Sequence, residues 1–183
     1  MKRALALVAA LASPSLAHAD PDRYSVGADL VSSTLFRGVG LEGGLRSGHW
    51  GGRIGYAYQQ IPSVFVEMDS RDKGWSVTAN VAVAAADYWF GTAREGAYVT
   101  FEAALKRESL GAPMGGSTTT VRPSLVPGIG YRWSPFHNAV YLEPRFFLIV
   151  DTPPVSGSDK VGSAKYYAPA VIPAGWVVVG AAF

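Results

Sequence analysis

The chain has no cysteine among its 183 residues. A disulfide framework, a thiolate zinc site and a cysteine nucleophile are therefore excluded. Histidine is scarce as well, because only His18, His49 and His137 occur. Clusters of several histidine ligands are not available to such a chain, and the sequence predicts no metal, cofactor or catalytic site.

Charged residues are few, at 16% of the chain, whereas 49% of the residues are hydrophobic and 12% are aromatic. This balance excludes an intrinsically disordered chain, which combines high charge with little apolar surface. The 21 glycines follow no third-position period, so a collagen-like chain is excluded too. A length of 183 residues suits one folded domain rather than two.

The first nineteen residues have the pattern of a secretory signal peptide. Lys2 and Arg3 form a basic start, an apolar run follows, and Ala17-His18-Ala19 is a small-x-small cleavage site. We therefore predict a cleaved signal peptide at 1–19 and a mature domain at 20–183. Export of this kind places the mature chain in the bacterial envelope.

Net charge gives no support for binding to nucleic acid. The chain has 16 basic and 14 acidic residues, and loss of Lys2 and Arg3 with the signal peptide leaves 14 of each. The mature chain is then formally neutral, so it lacks the basic excess that captures phosphate backbones. Nucleic acid is not predicted as a partner.

Alternation of apolar and polar residues with a period of two recurs along the mature chain, and this pattern predicts β-strands. In one segment, Val121, Leu125 and Ile129 share a face opposite Arg122 and Ser124. Eight segments are predicted as strands: 24–30, 50–58, 64–69, 75–83, 98–106, 121–133, 140–150 and 166–183. Strands of about 9–11 residues cross the hydrocarbon of a membrane. The predicted fold class is therefore all-β, an eight-stranded antiparallel up-and-down transmembrane barrel.

The charged residues of these segments fall on the faces opposite the bulky apolar side chains. They are Arg53, Glu67, Glu102, Lys106, Arg122, Arg132, Glu143 and Arg145. A charge on the lipid face costs about 2–4 kcal/mol for Arg or Lys near the midplane, so in a membrane barrel this set points inward and forms ion pairs. A soluble periplasmic β-sandwich would instead place the same residues outward in water. A period of two alone does not distinguish these alternatives.

The lengths of the predicted connections mostly alternate, as in outer-membrane barrels with long outer loops and short periplasmic turns. Three connections are long and are expected at the outer surface: 34–48, 107–119 and 151–165. Two are short: 59–63 and 134–138. Two break the alternation, because 70–74 is too short and 86–96 is too long for its place.

Prolines inside the predicted strands argue against a closed barrel. Pro123, Pro127, Pro144, Pro169 and Pro173 each remove a donor from a ladder that has no free edge. Residues i and i+4 face the same neighbouring strand. We therefore expect one seam to be weakened by Pro123 and Pro127 and another by Pro169 and Pro173.

The chain ends in Trp176-Val177-Val178-Val179-Gly180-Ala181-Ala182-Phe183, which resembles the assembly signal of bacterial outer-membrane barrels, with Phe183 as its terminal residue. With the signal peptide and the eight alternating segments, the mature chain resembles small barrels of the OmpA/OmpX type. The resemblance implies the outer membrane of a Gram-negative bacterium, with outer-membrane lipid and lipopolysaccharide around the barrel. It also implies the barrel assembly machinery as a partner during insertion, and a structural or surface-interaction role through the long loops.

Residues 134–139, Ser-Pro-Phe-His-Asn-Ala, are similar to the His-x-Ser-Asn-Ala stretch of outer-membrane lipid A deacylases. The serine of that stretch, two residues after the histidine, corresponds to Ala139 here, so the nucleophile of a triad with His137 is missing. Three hypotheses remain: a non-enzymatic barrel that acts through its loops, an outer-membrane lipid-modifying enzyme, and a soluble periplasmic sandwich.

Overall fold

A computed structural model of the protein describes residues 24–67, 73–91, 95–135 and 139–183. The predicted signal peptide at 1–19 lies outside these ranges. Eight long strands follow one another in the described part of the chain: β1 Tyr24–Asp29, β2 Val39–Ser47, β3 Trp50–Ile61, β4 Ser76–Trp89, β5 Gly96–Gly111, β6 Ser117–Arg132, β7 Val140–Asp151 and β8 Val171–Ala182.

The eight strands form one closed antiparallel sheet. Each strand pairs with the strands before and after it in the chain, and β1 pairs with β8. Because the pairing returns to its starting strand, the sheet closes into a barrel. The predicted all-β, eight-stranded antiparallel up-and-down barrel is confirmed, and the β-sandwich alternative is wrong.

Two short helices follow strands. α1 (Leu30–Thr34) continues directly from β1, and the Asp29 side chain caps it by accepting a hydrogen bond from Val31 N–H at 2.8 Å. α2 (Ser63–Val66) follows β3. Neither these helices nor any other helix of the described ranges is long and apolar enough to cross a membrane.

The connections differ in length between the two ends of the barrel. At one end, the short-turn end, are the connections 48–49, 90–95 and 133–139, with Tyr24 and Phe183. At the other, the long-loop end, are the connections 30–38, 62–75, 112–116 and 152–170. The last of these contains three two-residue strands: Ser156–Gly157, Lys160–Val161 and Ala164–Lys165.

The structure corrects the predicted loop at 34–48. Residues 39–47 form β2, which pairs with β1 on one side and with β3 on the other. The strand is hidden in the sequence because Gly40 and Gly44 occupy inward positions. A side chain at position 44 would come within 2.9 Å of Ser25 Oγ, so the close packing of the barrel interior requires glycine there.

The predicted third strand at 64–69 is also wrong. Residues 63–66 form α2, in which the N–H groups of Phe65 and Val66 approach the Pro62 carbonyl at 3.0 and 3.2 Å. Proline is favoured at the start of a helix, where its missing N–H costs nothing. Burial of Val66 at the long-loop end, with 2% of its surface exposed, stabilises a turn that the apolar pattern alone does not reveal.

Two further loops differ from the prediction in extent. The loop predicted at 107–119 is a short connection, because β5 extends to Gly111 and β6 begins at Ser117. The loop predicted at 151–165 lies within the longer connection 152–170 except for its first residue.

These corrections account for the two connections that broke the predicted alternation of loop lengths. The connection 70–74, which looked too short, is part of 62–75 at the long-loop end. The connection 86–96, which looked too long, shrinks to 90–95 because β4 extends to Trp89. The three longest connections, 30–38, 62–75 and 152–170, therefore lie at one end of the barrel, as is typical of outer-membrane barrels. The connection 112–116 at the same end is as short as the turns at the other.

Buried and exposed residues alternate along the strands, but the polar residues are buried and the apolar ones exposed, the opposite of the arrangement in a soluble protein. In β5, Tyr98 and Glu102 are buried, whereas Phe101 and Leu105 have 53% and 50% of their surface exposed. The inner surface of the barrel therefore carries the charges and the outer surface is apolar. A polar core of this kind must satisfy its charges with one another, because water is largely excluded from it.

Three prolines weaken one seam of the barrel, between β6 and β7. Trp133 and Leu142 exchange backbone hydrogen bonds of 2.8 Å across this seam. Because backbone groups two residues apart face the same neighbour, the missing N–H groups of Pro123, Pro127 and Pro144 face it too. The β6–β7 ladder is interrupted at Pro127 and Pro144, so the expected weakening is confirmed at Pro127. The ladder ends at Ser124, next to Pro123.

The second expected weak seam is wrong. Ala182 N–H donates to the Ala139 carbonyl, on the side of β7. Backbone groups alternate between the two neighbouring strands, so even-numbered residues of β8 direct their N–H towards β7 and the odd-numbered Pro173 lies with its nitrogen towards β1. β1 reaches β8 only as far as Val178, so Pro173 removes no donor from a strand pair. Pro169 precedes β8 and lies in no strand.

We expect Pro127→Ala to raise the free energy of unfolding by about 1 kcal/mol, because alanine restores a donor to the β6–β7 ladder. Pro173→Ala is the matched control, because both prolines point outward. Both substitutions raise the conformational entropy of the unfolded chain by the same amount. At position 173, however, the new N–H has no strand partner and restores no ladder hydrogen bond. Urea titration of the barrel refolded in lipid vesicles measures both. An equal change in the two variants would contradict the assignment of the weak seam.

Candidate functional site

A group of charged side chains, the lower cluster, lies inside the barrel towards the short-turn end. Its members come from six strands: Glu42, Arg53, Asp87, Glu102, Arg132, Glu143 and Arg145. Arg53 contacts three carboxylates, Asp87 at 2.7 Å, Glu102 at 2.9 Å and Glu42 at 3.3 Å. Three carboxylates around one guanidinium use its fork of donors and hold β2 to β5 together from inside.

Glu143 is the most deeply buried member of the lower cluster, with no exposed surface. Its carboxylate accepts hydrogen bonds from Arg132 Nε at 2.6 Å, Arg145 Nε at 2.7 Å and the Tyr98 hydroxyl at 2.6 Å. Arg145 also donates to Glu42 at 2.6 Å. Glu42 thus bridges Arg145 and Arg53, and one network of charge-assisted hydrogen bonds crosses the whole barrel.

A second group, the upper cluster, lies nearer the long-loop end and consists of Lys106, Glu108, Arg122, Asp151 and Asp159. Lys106 Nζ is 2.5 Å from Asp151, and Arg122 is 3.2 Å from Glu108. Arg122 also contacts Asp159 at 2.7 Å. Because Asp159 belongs to the connection 152–170, this ion pair attaches the longest loop to the inner wall of β6.

Aromatic rings and guanidinium groups close the short-turn end, in what we call the end stack. The Arg46 and Arg132 guanidinium carbons lie 4.1 and 5.0 Å from the centre of the Trp89 ring. Arg132 also lies 4.1 Å from the Tyr141 ring centre, and the Trp89 and Tyr98 rings are 4.4 Å apart. These cation–π and ring contacts fill the section of the barrel below the lower cluster.

An apolar cap closes the long-loop end. It consists of Val66, Trp75, Val77, Leu110 and Tyr166, all of them buried. The Trp75 and Tyr166 rings lie 5.6 Å apart. Since these residues come from α2, two strands and two connections, the cap packs the long-loop end over the upper cluster.

A cavity of about 140 Å³ lies in the barrel interior and is lined by residues of both clusters. Its apolar lining residues include Val81, Val83, Ala104, Val126, Phe147, Ile149, Trp176 and Val178 on the inner wall, and the cavity also reaches Leu41, Ile54, Tyr56 and Ala57 of β2 and β3. Arg53, Glu102 and Lys106 line it as well. The interior therefore has polar layers on either side of an apolar one, with empty space in the apolar layer.

The structure brings seven of the eight predicted interior charges into the two clusters: Arg53, Glu102, Lys106, Arg122, Arg132, Glu143 and Arg145. Glu67 is the exception. It follows α2 instead of lying in a strand, its side chain is exposed, and its Oε1 accepts a hydrogen bond from Gly74 N–H at 3.0 Å. Glu67 is therefore no part of the barrel interior, because the strand that was to carry it inward does not exist.

The carboxylates that complete the clusters were missed: Glu42, Asp87, Glu108, Asp151 and Asp159. Glu42 lay in a predicted loop and Asp87 in a predicted connection. A signal for them was present, since the predicted set has five cations and three carboxylates, and a buried set of charges is stable only when it is nearly balanced. That imbalance already indicated further acidic residues inside.

Of the three histidines, only His49 lies in the described residues, and it shows no catalytic arrangement there. His49 lies in the turn 48–49, and its Nδ1–H donates to the Trp89 carbonyl at 2.8 Å. His137 lies outside the described ranges, and the backbone N–H of Ser134 donates to the Glu95 carboxylate at 3.2 Å. Across the described ranges, no group of three or more His, Cys, Asp or Glu side chains is placed to hold a metal.

Phe183 joins the end of β8 to the start of β1. Its N–H donates to the Tyr24 carbonyl at 2.9 Å, and the Tyr24 N–H donates back at 3.0 Å. The two rings lie 6.5 Å apart. The terminal residue therefore completes the β1–β8 seam at the short-turn end.

No family model matches the chain, and no curated protein sequence matches it either. Among solved structures, the chain is similar to that of Neisserial surface protein A (NspA). The two chains are 17% identical with a TM-score of 0.43, and the similarity covers 86% of this chain and 90% of that one.

Proposed function

We propose that the protein is an integral barrel of a bacterial outer membrane, filled by its own charged side chains, with a structural or surface-interaction role through its long-loop end. The observation that carries the proposal is the inverted placement of apolar and charged residues. On the outer surface, Ile54, Phe146 and Leu45 are 72%, 66% and 60% exposed. Apolar surface of this extent is unfavourable in water and is matched by hydrocarbon.

Aromatic residues support the same proposal. A ring of exposed aromatic side chains surrounds the short-turn end: Tyr24, Trp50, Tyr88, Phe90, Tyr131 and Trp133. Tyrosine and tryptophan favour the interface between membrane and water, where one end of the ring is in an apolar environment and the other is hydrated. Such a girdle is expected where the barrel leaves the membrane at its short-turn end.

The proposed role does not include an open pore. The end stack fills one end of the barrel interior and the apolar cap fills the other. An eight-stranded barrel has an interior that is just wide enough for side chains to fill. The two ion-pair clusters then act as a rigid polar core that holds the strands in register.

The surface role falls to the long-loop end. Its longest connection, 152–170, is attached at several points, because Asp159 pairs with Arg122, the short strand Ser156–Gly157 pairs with β6, and Tyr166 packs against Trp75. Val155 and Met114 are 67% and 96% exposed at this end. An anchored loop presents a defined surface, which favours interaction with another molecule over disorder.

Electrophoresis of a membrane fraction, with and without boiling, tests the proposal. A folded outer-membrane barrel resists detergent and is expected to migrate differently until it is boiled, and to remain with the outer membrane after osmotic shock. Release by osmotic shock together with one unchanged band would overturn the proposal. The measurement does not depend on knowing a ligand.

We expect Phe183→Ala to reduce the amount of folded barrel in the outer membrane severalfold while changing its stability in vesicles by about 1 kcal/mol or less. The resemblance to the barrel assembly signal implies the first effect, and the backbone pairing with Tyr24, which alanine keeps, implies the second. Quantitative blotting of the heat-modifiable form measures insertion in cells, and urea titration measures stability. Equal insertion of the variant and the wild type would contradict a role as assembly signal.

A further inference from the structure

The interior cavity is larger than a well-packed barrel of this size requires. Its volume of about 140 Å³ is close to that of engineered apolar cavities of about 150 Å³, which stay dry and bind a ring of six carbons. Protein interiors otherwise leave few voids larger than a water molecule. A cavity of this size is therefore a candidate binding site.

The charged groups at the cavity wall already have partners. Arg53 is held by Asp87 and Glu102, and Lys106 is paired with Asp151. Both cations are engaged by carboxylates, so neither is free to bind a negatively charged ligand. Between them, the wall is made by Val81, Val83, Ala104, Val126 and Phe147 with their apolar neighbours. The chemistry of the site therefore favours a hydrocarbon.

The position of the cavity indicates the source of that hydrocarbon. Both ends of the barrel interior are filled, by the end stack and by the apolar cap. Val126 and Ile149 line the cavity from β6 and β7, at the place where Pro127 interrupts the ladder between these strands. The exposed apolar side chains of Leu125 and Leu148 flank the same place on the outer surface. The weakest part of the wall thus separates the cavity from the surface that faces lipid.

We propose that the cavity binds the end segment of one alkyl chain, about six carbons long, which comes from the surrounding lipid. This inference rests on the proposed function, because it requires the outer surface to lie in hydrocarbon. The alkyl chain passes between β6 and β7, where a missing donor leaves the backbone pairing open. It fills the apolar layer without disturbing the ion pairs above and below.

Nuclear Overhauser measurements on the full mature chain in dodecylphosphocholine micelles test the proposal. The protein is deuterated except for the valine methyl groups. We expect contacts with the alkyl protons of the detergent at the inward Val81, Val83 and Val126 as well as at the outward Val99 and Val150. The outward pair reports whether the outer surface lies in hydrocarbon.

A matched pair of variants in β5 identifies the inner contacts as cavity binding. Ala104→Leu places a larger side chain in the cavity, whereas Ala103→Leu places it on the outer surface. Contacts at the inward valines are expected to disappear in the first variant and to persist in the second. The wild-type spectrum remains decisive if the first variant fails to fold.

Two results would be unfavourable, and they are distinguishable. Detergent contacts at Val99 and Val150 without any at the inward valines would overturn the cavity proposal and leave the proposed function intact. Contacts with water instead of detergent at Val99 and Val150 would overturn the proposed function. Inward contacts that persist in Ala104→Leu would also overturn binding in the cavity.

Discussion

Ile54→Arg is expected to lower the free energy of unfolding of the membrane-inserted barrel by about 2–4 kcal/mol. Ile54 lies on the outer surface of β3 and is 72% exposed. Its neighbour Arg53 points inward and forms ion pairs there. The substitution adds a second positive charge, and this one lies on the outer surface, where Ile54 has no charged neighbour to pair with in the described part of the chain. In hydrocarbon, the guanidinium must be desolvated or must deform the bilayer around it.

The same substitution distinguishes a membrane barrel from a soluble one. At an exposed site in water, a change of this kind is expected to stay within about 0.5 kcal/mol. Met114→Arg is the matched control, because Met114 is 96% exposed in the connection 112–116 at the long-loop end. Urea titration in vesicles measures both variants. A small, equal effect at positions 54 and 114 would contradict insertion of the outer surface into lipid.

Glu143→Ala is expected to lower the free energy of unfolding by about 3–5 kcal/mol, the cost of breaking a buried ion pair by removing one partner. The Glu143 carboxylate accepts from Arg132, Arg145 and Tyr98. Its removal leaves Arg132 without a carboxylate partner within the described residues, whereas Arg145 keeps Glu42. A buried guanidinium without a counter-ion carries the full penalty of its desolvation.

Two controls accompany this variant. One removes the charge of Glu143 but keeps its size, and the other removes a carboxylate that is exposed instead of buried. Glu143→Gln keeps the size and one acceptor oxygen, so we expect it to retain part of the stability lost in Glu143→Ala. Glu67→Ala removes an exposed carboxylate that accepts from Gly74 N–H, and we expect a change of about 1 kcal/mol or less. Similar losses in Glu67→Ala and Glu143→Ala, measured by urea titration, would contradict the role of Glu143 in the interior.

The number of strands was predicted correctly although two of the predictions behind it were wrong. Residues 39–47 were taken as loop and residues 64–69 as strand, and the two errors cancel in the count. Alternation of apolar and polar residues indicates a strand only when the side chains on its two faces differ in polarity. In β2 the inward glycines carry no side chain, and in α2 the three consecutive residues Val64, Phe65 and Val66 are all apolar.

The loop lengths provided information that alternation did not. The connection 70–74 follows the misplaced strand at 64–69, and the connection 86–96 follows a strand whose predicted end was too early. Strands that alternate in direction place every second connection at the same end of the barrel, and outer-membrane barrels have their long connections at one end. An irregular pair of loops therefore indicated a misplaced strand, and the structure places it at 39–47.

The order of residues along each strand determined which side chains share a face, since successive side chains point to opposite sides of an extended backbone. That local rule is enough to place Arg53, Glu102 and Glu143 opposite the bulky apolar residues. The tertiary structure decided which charges meet. Glu42 and Arg145 are separated by 103 positions in the chain, and they pair because closure of the barrel and the register of its strands bring them to the same level, which no local pattern encodes.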